Sequence, residues 1–235
     1  MCTVSFVASG ESYIFTSNRD EQVLRAATEP KYYLINNTNL YFPKDPLAGG
    51  TWYCANQNGT ILVLLNGATE KHQHQPPYNR SRGLVVLELI TNNNSIAFWD
   101  TINLHKVEPF TIILFQNNKL YQLRWDEICK TKIELDTNLK HIWSSSTLYP
   151  KEIREQRARW FMDYTNKIEN INNNDLLDFH QNTHNENHEN GLVINRNDKL
   201  KTLSITQTVI QKKTIKMIYK DLINFSEHEI NFEIQ

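Results

Sequence analysis

The sequence contains few cysteines, and their number argues against a disulfide-stapled secreted fold. Its 235 residues include only three, Cys2, Cys54 and Cys129, an odd number whose spacing matches no zinc motif. The first twelve residues lack the basic start and the long apolar stretch of a secretory signal, which also argues against a lipidated Cys2. Because disulfides are rare in reducing compartments, these features predict a cytoplasmic protein.

An excess of charge is also missing, and so are long hydrophobic runs. The 25 Lys and Arg residues and 26 Asp and Glu residues give a formal net charge of -1, so no basic excess exists to neutralise phosphates. The longest apolar runs, at 61–67 and 111–115, are far shorter than the roughly 20 residues that a membrane helix needs. The sequence therefore predicts no nucleic-acid partner and no integral membrane segment, and it leaves the oligomeric state open.

Short strands dominate what is present. Apolar runs at 2–8 and 12–17 predict a first hairpin, whose second strand ends at Ser17. Asparagine-rich corners at 58–59 and 117–118 predict two more hairpins, because asparagine and glycine tolerate the left-handed backbone of tight turns. Alternating runs near the C-terminus predict the last strands.

Helices are fewer, and we expect them at 81–90, 150–168 and 173–181. Four residues of the longest are expected to point inward: Ile153, Trp160, Phe161 and Tyr164. Runs of strands broken by two or three helices predict an α+β protein with antiparallel sheets. No repeat or linker interrupts the chain, so residues 1–235 are predicted to form a single domain.

Cys2 directly follows the initiator methionine, and its side chain can either pack in the core or act as a nucleophile. Methionine is normally removed before a small residue, which would make Cys2 the mature N-terminus. Its α-amine, with an ordinary pKa of about 7.7–8.0, could then take the thiol proton. Packing alone is the commoner reason for a cysteine at this position, so other residues must decide.

A polar cluster, Asn18 to Glu21, follows the predicted end of the second strand. If this strand pairs with the first, the cluster lies close to Cys2. Arg19 and Asp20 could then hold the amine, and the cation would stabilise the thiolate. A solvated charged turn is the alternative, and the four residues alone favour it.

Several short motifs occur in order along the chain: SNRDE at 17–21, PLAGGTW at 46–52, LLNG at 64–67, SRG at 81–83, and the more divergent SSSTLYP at 144–150 and KTLSITQ at 201–207. Together they resemble the NRDE family, also called the transport and Golgi organisation protein two family, over close to the whole chain. That family is similar to N-terminal nucleophile hydrolases. The resemblance therefore implies a four-layer αββα sandwich of two antiparallel sheets between helix layers.

The resemblance also implies roles for individual residues. It implies catalytic roles for Cys2 as nucleophile, Arg19 and Asp20 beside it, and Asn66 and Gly67 as oxyanion donors. Contacts with the substrate are expected from Asn18, Trp52, Arg82 and Ser145. The function implied is an N-terminal cysteine hydrolase, or amidohydrolase, acting on a linear amide or related acyl compound without a required cofactor or metal.

Two departures from the pattern keep a second hypothesis open. Cysteine amidases often have an asparagine where this chain has the serines of 144–146, and the late strand at 201–207 lacks their usual arginine. The alternative is a non-catalytic carrier or chaperone of the same fold. Haem trafficking is the role that the family suggests for it, with His72 or His74 as candidate haem ligands.

A second group of histidines, His180, His184 and His188, has a spacing that would align three imidazoles on one helix face. Such a face could bind zinc or copper. The asparagine-rich composition of the segment instead favours a mobile surface loop. Cys54, on a candidate strand, is expected in the core.

Overall fold

The computed structural model describes residues 2–235, which form two antiparallel sheets and four helices. In chain order the elements are β1 (Cys2–Ser9), β2 (Ser12–Gln22), β3 (Thr28–Ile35), β4 (Thr38–Lys44), β5 (Tyr53–Asn56), β6 (Ile61–Asn66), α1 (Arg82–Ile90), α2 (Ser95–Thr101), β7 (Phe110–Gln116), β8 (Lys119–Trp125), β9 (Lys130–Leu135), β10 (His141–Ser144), α3 (Lys151–Thr165), α4 (Asn173–Asn182), β11 (Asn195–Arg196), β12 (Leu200–Gln211), β13 (Thr214–Asp221) and β14 (Ser226–Glu233). The predicted α+β class with antiparallel sheets is confirmed.

The chain divides into two compact units, each with one sheet and two helices. The first unit contains the residues up to Ala26 together with Thr137–Glu233, and the second contains Ala27–Asp136 with Ile234 and Gln235. The single domain over 1–235 stays a prediction.

The first unit is built on a sheet with strand order β10-β1-β2-β12-β13-β14, and β11 pairs with β12. Helices α3 and α4 pack on one face of this sheet. The core between them is formed by the apolar side chains Val7, Ile14, Phe161, Ile171, Leu176, Phe179 and Leu192. Since side chains alternate along a strand, the residues between these core positions lie on the opposite face.

The predicted hairpins are confirmed, and their turns have the expected backbone. Gly10 joins β1 to β2 with φ of 58°, and Gly59 joins β5 to β6 with φ of 78°. Asn117 and Asn118, with φ of 54° and 58°, join β7 to β8. These left-handed conformations are ones that glycine and asparagine adopt most easily.

The second strand was predicted to end at Ser17, and this prediction is wrong. β2 continues to Gln22, and Asn18, Arg19, Asp20 and Glu21 are buried within it. The polar cluster is therefore not a solvated turn. Its side chains find hydrogen-bond partners inside the protein, which is the condition for burying polar groups in a strand.

The second unit is built on a sheet with strand order β3-β4-β5-β6-β7-β8-β9, with α1 packed on β5 and β6. Two glycines bring α1 close to the chain before β5. A Cβ atom on Gly50 would overlap the carbonyl carbon of Gly83, and one on Gly83 would lie 2.9 Å from both the N and O atoms of Thr51. The PLAGGTW and SRG motifs thus meet in this unit.

The longest helix, α3, packs on the core largely as predicted. Of the four residues expected to point inward, Phe161 is buried, Trp160 and Tyr164 are partly buried and pack against the same core, and Ile153 is partly exposed. Arg157 is the fully buried charged residue of this helix. Among residues 2–235, no helix is long and apolar enough to span a membrane.

Candidate active site

Cys2 is the first residue of β1, and it is only 1% exposed. It lies directly opposite Arg19 of β2 in the antiparallel register, so the two side chains share one face of the sheet. On the other side of β1, the backbone N–H of Ser145 donates to the carbonyl oxygen of Cys2 at 2.9 Å. The start of the strand is therefore fixed from both sides.

The pKa of the Cys2 thiol is raised above its ordinary value, mainly because burial disfavours the thiolate. The negative charge of Asp20 raises it further. The positive charge of the chain's amino terminus, Arg19 and a hydrogen bond from the hydroxyl of Ser17 lower it. Arg19 thus lowers the thiol pKa, as expected, but the opposing effect of burial is larger.

Asp20 is fully buried and lies on the sheet face opposite to Cys2. Its carboxylate accepts hydrogen bonds from Tyr149 Oη at 2.7 Å and from Thr202 Oγ1 at 2.6 Å. The guanidinium of Arg157 lies 3.6 Å from the centre of the Tyr149 ring. Burial raises the pKa of Tyr149 well above its ordinary value, and the charge of Asp20 adds to this, so Tyr149 is a neutral donor.

Asp20 lies on β2 beside the end of β1 that carries the backbone nitrogen of Cys2. Because β1 and β2 are antiparallel and Cys2 pairs with Arg19, the chain direction toward the amine is also the direction toward Asp20. Asp20 is therefore placed to influence a terminal amine on Cys2 from the neighbouring strand.

Asn18, which was predicted to contact the substrate, has a side chain that is hydrogen-bonded inside the protein. It lies opposite Thr3 on the face that α4 covers. Its Nδ2 donates to the carbonyl oxygens of His180 and Leu192 at 2.9 Å each, and its Oδ1 accepts from Nδ1 of His180. With these groups occupied, Asn18 positions α4 and the segment after it.

His180 is part of the same buried network and not of a mobile surface loop, so that prediction is corrected. It lies in α4, fully buried, and its Nε2 is 2.7 Å from Oγ of Ser5. Burial, with a smaller effect of the nearby Arg157 cation, lowers the pKa of His180 to about 3. Both ring nitrogens are occupied, which leaves neither for a metal ion.

Ser145, which was predicted to contact the substrate, lies next to Cys2 through the backbone bond described above. Its side chain is 1% exposed, and its Oγ is 2.9 Å from Oγ1 of Thr147. Its backbone thus supports the position of Cys2.

The four other predicted site residues belong to the second unit. Trp52 is buried in the segment before β5, and Asn66 is the half-buried last residue of β6. Gly67 has a φ of 83°, and its backbone N–H donates to the carbonyl oxygen of Pro109 at 2.9 Å. This bond occupies the group that was expected to meet an oxyanion.

Arg82, predicted to bind a substrate carboxylate, binds a carboxylate of its own chain. Its Nη2 lies 2.9 Å from Oε2 of Glu108, and its Nη1 donates to the carbonyl oxygen of Pro109 at 3.2 Å. His72 and His74 both contact Oε1 of the same glutamate, at 3.1 and 3.3 Å. Among residues 2–235, no group of three or more His, Cys, Asp and Glu side chains is arranged to hold a metal ion.

Sequence reasoning missed the residues that support Asp20 from other parts of the first unit. Tyr149 and Thr202 lie within the motifs SSSTLYP and KTLSITQ, so their position in two matched stretches was a usable signal. Arg157 carries no such signal, because an arginine in a polar helix is typical of an exposed face.

A family model described as "Transport and Golgi organisation 2" matches residues 1–224. Two variants of the conjugated bile acid hydrolase from Clostridium perfringens are similar in structure, with TM-scores of 0.60 and 0.58 and 8% identity each. These similarities cover 99% and 97% of this chain and 92% of each hydrolase chain.

The Caenorhabditis elegans ortholog of N-acylethanolamine-hydrolyzing acid amidase is similar with a TM-score of 0.52 and 10% identity, over 88% of this chain and 92% of that chain. No curated protein matches the sequence. The solved structures have the N-terminal nucleophile hydrolase fold, so the predicted fold type is confirmed.

Proposed function

The chain belongs to the Transport and Golgi organisation 2 family, and from that premise we propose that it is an N-terminal cysteine hydrolase acting on a linear amide or related acyl compound. The observation that carries the proposal is the position of Cys2, which opens β1, faces Arg19 and is held through its carbonyl by Ser145. The similar solved structures support the substrate class, since they are named as a bile acid hydrolase and an acylethanolamine amidase.

The proposed reaction begins when removal of the initiator methionine gives Cys2 a free amine. The amine takes the thiol proton, and the sulfur forms a bond to the acyl carbonyl carbon. The tetrahedral oxyanion collapses, the carbon–nitrogen bond breaks, and the ammonium returns its proton to the leaving amine. Water, deprotonated by the same amine, then cleaves the thioester and releases the acid and the thiol.

Burial of Cys2 is compatible with this route because the thiol need not be ionised in the resting protein. A neutral thiol that transfers its proton during attack avoids the cost of a buried thiolate. Arg19, on the same face, favours the charge as it forms on sulfur. Asp20, on the neighbouring strand, favours a positive charge on the amine.

Asn66 is our candidate donor to the oxyanion. Its side-chain amide can meet a developing negative charge without adding a charge of its own. The backbone N–H of Gly67, which donates to the carbonyl oxygen of Pro109, is the second candidate. The small-molecule substrate, cytoplasmic location and independence from cofactors belong to the same proposal, and three free cysteines agree with a reducing compartment.

The decisive experiment follows acylation of the protein by intact mass. Purified protein should have lost its initiator methionine. On mixing with a panel of linear acyl amides and the corresponding p-nitrophenyl esters, it should gain the mass of one acyl group, which peptide mapping locates on Cys2. Cys2→Ala should gain none, while Cys54→Ala, a matched control at a buried cysteine of the second unit, should react as the wild type does.

Two outcomes would contradict the proposal: a retained methionine, or equal turnover by the wild type and Cys2→Ala. Either would favour the carrier hypothesis over the hydrolase. Haem binding would then be tested by the Soret band, with His72→Ala and His74→Ala as variants.

A further inference from the structure

Four buried hydroxyl groups form a row in the first unit. Ser204, Thr206 and Thr208 lie at alternate positions of β12, and Ser17 lies across from Thr206 on β2. All four residues are 0% exposed. We call this set the hydroxyl row.

The hydroxyl row lies on the same sheet face as the Cys2 thiol. In the register of the sheet, Ser204 pairs with Arg19, which pairs with Cys2, and Thr206 pairs with Ser17. Directly opposite residues point to the same side, and so do alternate residues of one strand. Helices α3 and α4 cover the other face, where the core residues Val7 and Ile14 lie.

The hydroxyl row is unusual because most of its members have no hydrogen-bond partner among residues 2–235. The hydroxyls of Ser204, Thr206 and Thr208 have none there, and the hydroxyl of Ser17 contacts only the thiol of Cys2. Buried hydroxyls on the opposite face of the same strands are paired: Thr16 with Gln207, and Thr202 with Asp20. Since buried polar groups are nearly always paired, orphan hydroxyls confined to one face require a ligand or water.

The spacing of the row defines the reach of such a ligand. Neighbouring strands are about 4.8 Å apart, so Ser204 lies about 10 Å from Cys2, two strands away. Alternate residues of a strand are about 6.7 Å apart, so Thr208 lies about 13 Å further along β12 from Ser204. A molecule attacked at Cys2 would need an extended part of this length to meet the whole row.

The chemistry of the row defines the class of that part. Ser and Thr hydroxyls each donate and accept, and they carry no charge, so they match hydroxyl and carbonyl groups better than ions. The charged neighbours, Arg19 and Asp221, flank only the Ser204 end. We propose that the hydroxyl row binds an uncharged, hydroxyl-rich part of the substrate whose acyl carbon is attacked by Cys2. This inference rests on the proposed function and narrows its substrate class.

The test uses two thiol-alkylating probes of equal chain length, N-chloroacetyl-glucamine and N-chloroacetyl-hexylamine. Each forms a bond between the Cys2 sulfur and the probe's methylene carbon and releases chloride. The glucamine chain carries five hydroxyls and the hexyl chain none. Peptide mapping gives the second-order labelling rate of Cys2 for each, and the ratio of the two rates cancels differences in thiol reactivity.

In the wild type, the glucamine probe should label Cys2 faster than the hexyl probe. In Thr206→Val/Thr208→Val, which keeps side-chain shape but removes two hydroxyls, the ratio should fall about 10-fold. Thr206→Ser/Thr208→Ser retains the hydroxyls and should keep the ratio. The matched control, Thr16→Val, removes a buried hydroxyl from the opposite face and should also leave the ratio unchanged.

The inference would be overturned if the ratio of the two labelling rates were equal in the wild type and the double valine variant. The hydroxyls of the row would then bind water and not the probe. A Cys2 that neither probe labels would also overturn the inference. These outcomes can be distinguished from failure of the proposed function. The proposed function fails if Cys2→Ala keeps the acylation and turnover of the wild type. The single variants Thr206→Val and Thr208→Val are measured alongside, so that a folding defect in one leaves the other informative.

Discussion

The hydroxyl of Tyr149 donates a 2.7 Å hydrogen bond to the carboxylate of Asp20, and both side chains are fully buried. This bond joins the loop after β10 to β2 at the residue next to Arg19, and Arg19 faces Cys2. A buried carboxylate is costly unless donors surround it, and Thr202 supplies the second bond. The NRDE stretch is therefore held by residues from two distant motifs.

Replacing Tyr149 by Phe should destabilise the protein by about 1–3 kcal/mol, because the change leaves a buried carboxylate oxygen without its donor. Urea or guanidinium unfolding, followed by circular dichroism, measures this free energy. The ring and its contact with the Arg157 guanidinium are retained, so the loss reports on the hydrogen bonds of the hydroxyl with Asp20 and Arg157.

Tyr164→Phe is the matched control. Tyr164 Oη also donates to a carboxylate at 2.7 Å, that of Asp178, but this pair is partly exposed. Water can replace the lost donor there, so the expected cost stays below about 1 kcal/mol. Equal losses in the two variants would contradict the role given to the Asp20 carboxylate.

The sequence was sufficient to predict much of the fold, because turn residues and alternation are local signals. Gly10 and the pair Asn117–Asn118 marked hairpins that the structure contains. The end of β2 was misplaced because four consecutive polar residues have the composition of a turn. What keeps them in the strand is hydrogen bonding to segments more than a hundred residues away, such as that of Asn18 with His180.

Less of the candidate site than of the fold could be predicted from the sequence. The motif SNRDE indicated that Arg19 and Asp20 belong near Cys2, and the register agrees. It could not indicate that Asn18 and Asp20 point away from Cys2, since that depends on the strand continuing past Ser17. Burial of Cys2 likewise depends on the tertiary structure, and it reverses the expected direction of the thiol pKa.

The stability of the protein should fall as pH decreases below about 6, and His180 should contribute to that fall. Burial lowers the pKa of His180 to about 3, below the ordinary value of about 6.5 in the unfolded chain. Between these values the unfolded state binds a proton that the folded state does not. Acid therefore favours unfolding, by up to about 1.4 kcal/mol per pH unit for this single group.

The check is the slope of unfolding free energy against pH from 4.5 to 6.5. His180→Gln should show a shallower slope than the wild type, whatever its absolute stability. An unchanged slope in His180→Gln would contradict this prediction, because His180 would then bind protons equally in the folded and unfolded states.

Gly50→Ala should be strongly destabilising, because the added Cβ would lie 2.7 Å from the backbone N of Leu84 and closer still to Gly83. The obstructing atoms are backbone, so relief requires moving α1. We expect the free energy of unfolding to fall by about 3 kcal/mol or more, which is the upper end of the range for overpacked cores. Thermal unfolding measures it.

Gly10→Ala separates crowding from backbone strain. Gly10 has a left-handed φ of 58°, but nothing lies within 4 Å of the added Cβ. Gly10→Ala should therefore lower the free energy of unfolding by only about 1–2 kcal/mol, the cost of a left-handed backbone for a residue with a Cβ atom. If both variants lost the same stability, contact between the GGTW and SRG motifs would not explain their glycines.

Arg19→Gln should slow the alkylation of Cys2 by iodoacetamide near pH 7. The cation lowers the pKa of the Cys2 thiol against the larger opposing effect of burial, so its removal raises that pKa and reduces the thiolate fraction. A decrease of about 5-fold is expected. The difference should vanish at a pH high enough to ionise the thiol in both proteins, which distinguishes an electrostatic effect from a blocked site.

The control for Arg19 is its neighbour Arg25. Arg25 accepts a hydrogen bond from Arg19 through its backbone carbonyl, and its side chain pairs with Glu21 and is about one-third exposed. Its charge is not among those that shift the Cys2 pKa. Arg25→Gln should therefore leave the labelling rate of Cys2 unchanged at every pH. If Arg25→Gln slowed labelling as much as Arg19→Gln, the effect would arise from general positive charge near the strand, and Arg19 would have no particular role beside the thiol.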